Sequence, residues 1–433
     1  MQADSKNMWS ISRLAEQLRG GGLTCVELTQ ACLDCIDERE EQLNAWVVID
    51  GHGALEQAKG LDEKLAAGQY LGPLHGIPIG VKDIIDVLGL PTAAGFEPWN
   101  DFVAEEEATL VTRLRDAGAV ILGKTVTTQF ACFDPPQTVN PFDPEVTPGG
   151  SSSGSAVATA VGMCVAAIGT QTGGSVIRPA SYCGICGFKP TYATIPVDGI
   201  VQVSQTLDHP GPIARSIADL AMMFDVLAGR NSGTKRASKP PRIGCLGGMF
   251  HQRADADMLD VFGRSLKQLQ ESQVVIEQVE LPDLFEQVLE HHRLIMLWEM
   301  LQLHDALFDQ DDRTHYLPGV QGLIEEAEQI SVRDYDQALR YRHDLTEAMG
   351  PVVAAYDALI MPATPTTPPD TLTTGSPAFN APWSLLGFPE ISMPMPGDVR
   401  GLPVALQLVS APGSDGPLFG LAQWVETALQ QAT

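Results

Sequence analysis

Long apolar runs are what this sequence lacks first. The longest stretch of small and apolar residues, Ala156 to Gly169, is broken by Thr159 and is too short for a hydrocarbon core of about 30 Å. It predicts a buried helix, with no membrane as partner. Basic residues are scarce too, 27 against 54 acidic ones, for a formal charge of −27 over 433 residues. That surface favours solubility and repels nucleic acid and anionic lipid. The one basic cluster, Arg230 to Arg242, is interleaved with Ser, Gly and Pro and reads as a solvated linker. No secretory leader is expected either, because Met1-Gln-Ala-Asp-Ser-Lys-Asn7 has no apolar core. Eight cysteines in a chain of this length make no disulfide framework, so a reducing, cytoplasmic location is expected. Cys32-Leu-Asp-Cys35 and Cys183-Gly-Ile-Cys186 match CxxC, but one falls in a helical pattern and the other in an apolar segment. No zinc site and no other metal or cofactor is expected from them.

Several catalytic templates are absent in the same way. The nucleophile elbow G-x-S-x-G fails around Ser175 because position 177 is Ile. The loop Pro148-Gly-Gly-Ser-Ser-Ser-Gly-Ser155 lacks the lysine of a phosphate-binding P-loop. An S-x-x-K match at Ser232-Gly-Thr-Lys235 lies in the polar linker and is read as chance. None of the nine histidines stands in a recognisable relation to Ser175, so a Ser-His-Asp arrangement has no support.

What is present begins with packing elements. Apolar residues at 11, 14, 15 and 18 predict a first helix ending at Gly20 to Gly22, and Thr24 caps a second through Leu43. Trp46 to Ile49 reads as a short strand and Ala54 to Ala67 as a third helix. Gly72 to Ile85 then changes character, turn residues giving way to a β-rich run interrupted by Lys82. A lysine in such a run is costly, since withdrawing its ammonium from water takes several kcal/mol unless it is paired or neutral. Alternation along a strand points Asp83 away from it. His75, beside Gly76, reads as a turn residue. A helix from Glu106 to Gly118 followed by the buried strand Ala119 to Leu122 gives a βαβ rhythm and parallel strands. Residues 130–148 form a long loop. The Gly-Ser loop at 148–155 has the composition of a flexible linker, but it runs straight into a small-residue helix, which suggests a polar site. Beyond the linker, Ile243 to Leu246 and Val274 to Ile276 predict further buried strands of the same sheet, with Met258, Phe262 and Leu269 facing inward from the helix between them. Leu284 to Leu307 reads as one long helix, whose His291, His292 and His304 are surface or packing residues.

Together these stretches resemble the amidase signature family of serine amidohydrolases. The resemblance rests on Gly80-Val-Lys-Asp83, Gly149-Gly-Ser-Ser-Ser-Gly-Ser155, Gly169-Thr-Gln-Thr-Gly-Gly-Ser-Val-Ile-Arg-Pro179, Gly187-Phe-Lys-Pro-Thr191 and Asp208-His-Pro-Gly-Pro-Ile-Ala-Arg-Ser216. It is dense from 72 to 227 and returns weakly at Asp357 to Pro362 and Gly401 to Val404. It implies one amidase domain over 1–433, an α/β/α fold around a large mixed, mostly parallel sheet, with a helical substrate funnel at about 250–350. It also implies a Ser-cisSer-Lys triad: Ser175 as nucleophile, Ser151 as the bridging serine after a cis peptide, and Lys82 as base. Ser151 and Ser175 are 24 positions apart and Lys82 precedes the first by 69, as the family commonly shows. Ser152, Ser153 and Ser155 fall off that register. Thr172, Gly173, Gly174 and Ser175 are the expected oxyanion hole, with Gly150, Ser152, Gln171 and Arg178 in support. One departure stands out: the family often has Arg two residues after the nucleophile, whereas Arg178 stands at three, a form that a subset shares and that leaves its role open.

The implied activity is hydrolysis of a small-molecule carboxamide through a Ser175 acyl-enzyme, without a cofactor. Burial must keep Lys82 neutral for it to serve as a base, so its costly placement is a requirement of the mechanism. One rival is the glutaminase-type member of a tRNA-dependent amidotransferase, which works with partner chains; another is a non-catalytic scaffold of the same fold. A homodimer is left open.

Overall fold

The computed structural model describes residues 5–430 apart from 236, 238 and 309–311. Its frame is an 11-stranded sheet. In chain order the strands are Trp46–Ile49 (β1), Pro78–Lys82 (β2), Val120–Thr125 (β3), Ala166–Gln171 (β4), Cys186–Lys189 (β5), His209–Ala214 (β6), Arg242–Leu246 (β7), Val275–Val279 (β8), Ala358–Pro362 (β9), Glu390–Val399 (β10) and Leu402–Val409 (β11). They lie in the order β1-β3-β2-β4-β6-β5-β10-β11-β9-β7-β8. Strands β2, β3, β4, β5 and β6 are buried at every residue, which requires cover on both faces and explains their near-continuous apolar sequences.

The mixed α/β sheet is the one expected, but it is not mostly parallel. Parallel pairing is confined to two blocks, β3-β2-β4 and β9-β7-β8, where helices such as Thr109–Asp116 and Ala256–Glu271 make the crossovers. The remaining six pairings are antiparallel. The physical reason is connection length: β10 and β11 are joined across Arg400 and Gly401, too short a link for anything but a hairpin. The linker at 230–242 leads back into this same sheet through β7.

Local chemistry explains most element boundaries. Thr24 and Glu27 form a reciprocal capping box at the start of the helix Cys25–Leu43. The apolar run at 156–169 is not one helix, as its composition suggested. The helix Ser153–Val161 stops at Gly162, whose φ of 86° ends it, and the chain then enters β4. Val275 is another correction: it lies on the sheet's edge strand and is 50% exposed. The long second-half helix begins later than expected, as a 3₁₀ turn at Asp283–Gln287 followed by Val288–Leu307. Among the described residues no helix is long and apolar enough to cross a membrane.

Asp83 does turn away from Lys82. It pairs instead with Lys124 of β3 at 3.0 Å, both side chains fully buried, and Lys124 Nζ also donates to Pro91 O and Thr92 Oγ1. Removing one member of a buried pair leaves an uncompensated charge, which typically costs about 3–5 kcal/mol. Lys124→Met is therefore expected to lower unfolding free energy by that order in urea denaturation, and an unchanged midpoint would refute the pairing's role.

Candidate active site

Lys82 ends β2, and its placement follows from the sheet. The parallel neighbour β4 carries Thr170 alongside, and the Gly-Ser loop at 148–152 lies over the strand end. Lys82 is 0% exposed, and its Nζ donates to Ser151 Oγ at 2.7 Å and to Thr170 Oγ1 at 2.9 Å. Burial is the main cause that brings its pKa down to about 7; the Asp208 carboxylate opposes this and the Arg178 guanidinium adds to it. A lysine poised there is half neutral at neutral pH and able to accept a proton.

The serines of the loop are separated by what they touch. Ser152 Oγ donates to Thr170 O and accepts from Thr170 N, both at 3.3 Å, and Ser152 N donates to Ser175 O at 3.3 Å. Ser153 Oγ bonds Gly149 O, and Ser155 Oγ bonds Ile168 O and Thr125 Oγ1. The Ser152 and Ser155 hydroxyls tie the loop and its helix to β4 and β3, and the Ser153 hydroxyl closes the loop on itself. Ser151 alone of the four meets the lysine, and the Gly150-Ser151 peptide is cis.

Ser175 follows β4 in a turn that opens the short helix Ile177–Tyr182. Gln171, the last residue of β4, holds that turn: its Oε1 accepts from Val176 N at 3.0 Å and Ile177 N at 3.1 Å. Its Nε2 is held in turn by Glu390 Oε2 and Ser384 Oγ. The Thr172 hydroxyl donates to Asp208, whose other oxygen accepts from Val203 N and Ser204 N. Three successive carbonyls are occupied: Thr172 O by His292 Nε2, Gly173 O by Ser384 Oγ and Gly174 O by Arg178 N. In a trans peptide the N–H points opposite to the C=O, so the N–H groups of Gly173, Gly174 and Ser175 point away from these anchors. Gly174 cannot be larger, because a Cβ there would come within 2.6 Å of Asn380 Oδ1.

A cavity of about 220 Å³ collects these parts. Ser151, Thr172, Gly173, Gly174, Ser175 and Arg178 all line it. Arg178, left without a role by the sequence, is 2% exposed; its Nη2 donates to Gly150 O at 2.6 Å and Thr374 Oγ1 at 3.3 Å, while Nε and Nη1 have no partner among the described residues. Burial brings its pKa down to about 10, so it stays cationic.

Residues of the loop 374–378 and of the helix Val288–Leu307 complete the cavity wall. His291 and His304 do pack, on Tyr341 and on Phe130 and Tyr316. His292 does not fit that reading: it lines the cavity and reaches Thr172 O at 3.0 Å. The signal for it was its row, since Val288, His292 and Ile295 share the helix's inward face, and a buried imidazole needs a polar partner. His75 lies apart, buried against Leu61 O.

Known proteins share this architecture. A family model described as Amidase matches residues 27–419. The chain is 31% identical to the A-type subunit of the glutamyl-tRNA(Gln) amidotransferase from Rippkaea orientalis over 98% of each chain. A crystal structure of an amidase, 31% identical, superposes with a TM-score of 0.90 over 97% of this chain and 100% of that one. The native peptide amidase from Stenotrophomonas maltophilia, 29% identical, gives 0.84 over 99% and 98%.

Proposed function

The chain belongs to the amidase signature family, and from that premise we propose that it hydrolyses the carboxamide of a small, anionic amide through a Ser175 acyl-enzyme. The observation that carries the chemistry is the fully buried Lys82 held 2.7 Å from Ser151 at the wall of the Ser175 cavity. Neutral Lys82 takes the Ser151 proton while Ser151 takes that of Ser175, whose oxygen bonds to the amide carbon. The resulting oxyanion meets the N–H groups of Gly173, Gly174 and Ser175, a type of contact worth about 10²–10³ in rate per donor. The C–N bond then breaks, and the proton returns from Lys82 through Ser151 to the leaving nitrogen. Water, deprotonated by the same relay, attacks the acyl-enzyme and releases the carboxylate and Ser175.

Arg178 supports the substrate class. A buried cation in a cavity wall, two of whose nitrogens have no partner among the described residues, is suited to a carboxylate or a comparable anion on the substrate. Arg178→Lys is expected to raise KM for anionic amides by about 10- to 100-fold and to leave neutral amides within a few-fold, because an ammonium does not reproduce the guanidinium fork. Equal loss on both substrate types would contradict this role.

A screen of small amides, ureas and glutamine for ammonia or amine release tests the reading. The expected result is turnover by the isolated chain. The similarity to the amidotransferase relative over 98% of each chain favours a second reading, a glutaminase working with partner chains. Glutamine turnover only after such chains are added would establish it. A cytoplasmic location is supported by eight free thiols.

A further inference from the structure

We propose that His292 is a positioning residue for the oxyanion hole, its Nε2–H fixing the plane of the peptide between Thr172 and Gly173. This rests on the serine-amidase reading above and names a residue that reading does not require. His292 belongs to the helix Val288–Leu307, far in sequence from the nucleophile loop, and bonds the Thr172 carbonyl at 3.0 Å. A carbonyl only accepts, so Nε2 carries the hydrogen and Nδ1 is bare. Burial brings the imidazole pKa down to about 4, which keeps the ring neutral at working pH.

The geometry gives the bond its effect. The peptide unit is planar, so holding the Thr172 oxygen also sets the direction of the Gly173 N–H, the first donor offered to the oxyanion. Gly173 has no side chain to set its own conformation, and a Cβ there would sit 3.6 Å from His292 Cε1. Glycine's freedom of rotation has to be removed by something outside the loop. The neighbouring peptides have anchors of the same kind, Ser384 Oγ on Gly173 O and Arg178 N on Gly174 O. Without His292 the Thr172-Gly173 peptide is the one left unanchored at its oxygen.

The test compares His292→Leu, which keeps the bulk and loses the donor, with His292→Gln, whose Nε2 reaches a similar position. Expected is a fall in kcat of roughly 10- to 100-fold in the Leu variant, somewhat below the loss of an oxyanion donor itself. KM should stay within about twofold, and the Gln variant should recover kcat to within a few-fold of the parent. A boronic acid that adds to Ser175 should lose affinity in step with kcat, while an uncleaved amide analogue should not. If the Leu variant does not fold, His292→Asn replaces it, since its shorter amide cannot reach the carbonyl. Unchanged kcat, a rise in KM alone, or equal loss in the Leu and Gln variants would each overturn the proposal. An inactive parent, or activity that survives Ser175→Ala, would instead overturn the serine-amidase reading on which it rests.

Discussion

Lys82→Met should lower kcat by about 10⁴-fold and at the same time make the folded protein more stable at neutral pH. Both effects come from one cause. The lysine sits where its charge is least welcome, with burial bringing its pKa down to about 7 from an ordinary value of 10.5. Between those values the unfolded chain binds more protons at this site than the folded one, so stability rises with pH across the window. Below pH 7 the folded state carries the full penalty of a buried ammonium. Methionine fills a similar volume without that penalty, so the variant should gain stability at pH 6.5 and much less at pH 9.5. Urea denaturation at the two values checks this, and a gain independent of pH would show that Lys82 is not the titrating group. The parent's kcat/KM should rise through a pKa near 7 as the neutral amine forms. Lys82→Arg should be as inactive as Lys82→Met, because a guanidinium does not deprotonate in a protein.

Ser175→Ala is expected to reduce amide hydrolysis by about 10⁵- to 10⁶-fold, the scale reached when a nucleophile is removed from a working relay. Its stability should hardly change. The turn that presents Ser175 is fixed through the Gln171 side chain, the Arg178 amide and the Ser152 amide, none of which uses the Ser175 hydroxyl. A melting temperature within a few degrees of the parent, combined with lost turnover, would separate chemistry from folding. Ser151→Ala should be similarly impaired, because it interrupts the path between Ser175 and Lys82.

How much of this was legible in the sequence depends on the range of the interactions. Lys82, Ser151 and Ser175 take their expected roles from the family resemblance, whose motifs are short local runs: a lysine where a strand should be apolar, a glycine-serine turn entering a helix, a glycine-rich turn after a strand. The expected capping at Thr24 rested on equally local rules and is present. His292 was not legible as part of the site, because its partner is a backbone carbonyl 120 residues away that no pattern along the helix encodes. The pairing of Asp83 with Lys124 depends in the same way on the register of β2 against β3. The helix expected over 156–169 failed for another reason. Alanine-rich segments serve equally well in a packed helix and in a strand buried on both faces, and only Gly162 marks the change. The overestimate of parallel pairing came with the family resemblance, and the single βαβ rhythm at 106–122 pointed the same way, while β5, β6, β10 and β11 form an antiparallel centre.

The central claim is that Ser175 is the nucleophile. The most direct measurement is peptide mass spectrometry of the full chain after reaction with a fluorophosphonate, which adds to an activated serine with loss of fluoride. A single adduct on the peptide containing Ser175, absent from Ser175→Ala and suppressed in Lys82→Met, is the predicted result. An adduct on another serine, or one that persists in Ser175→Ala, would contradict the assignment.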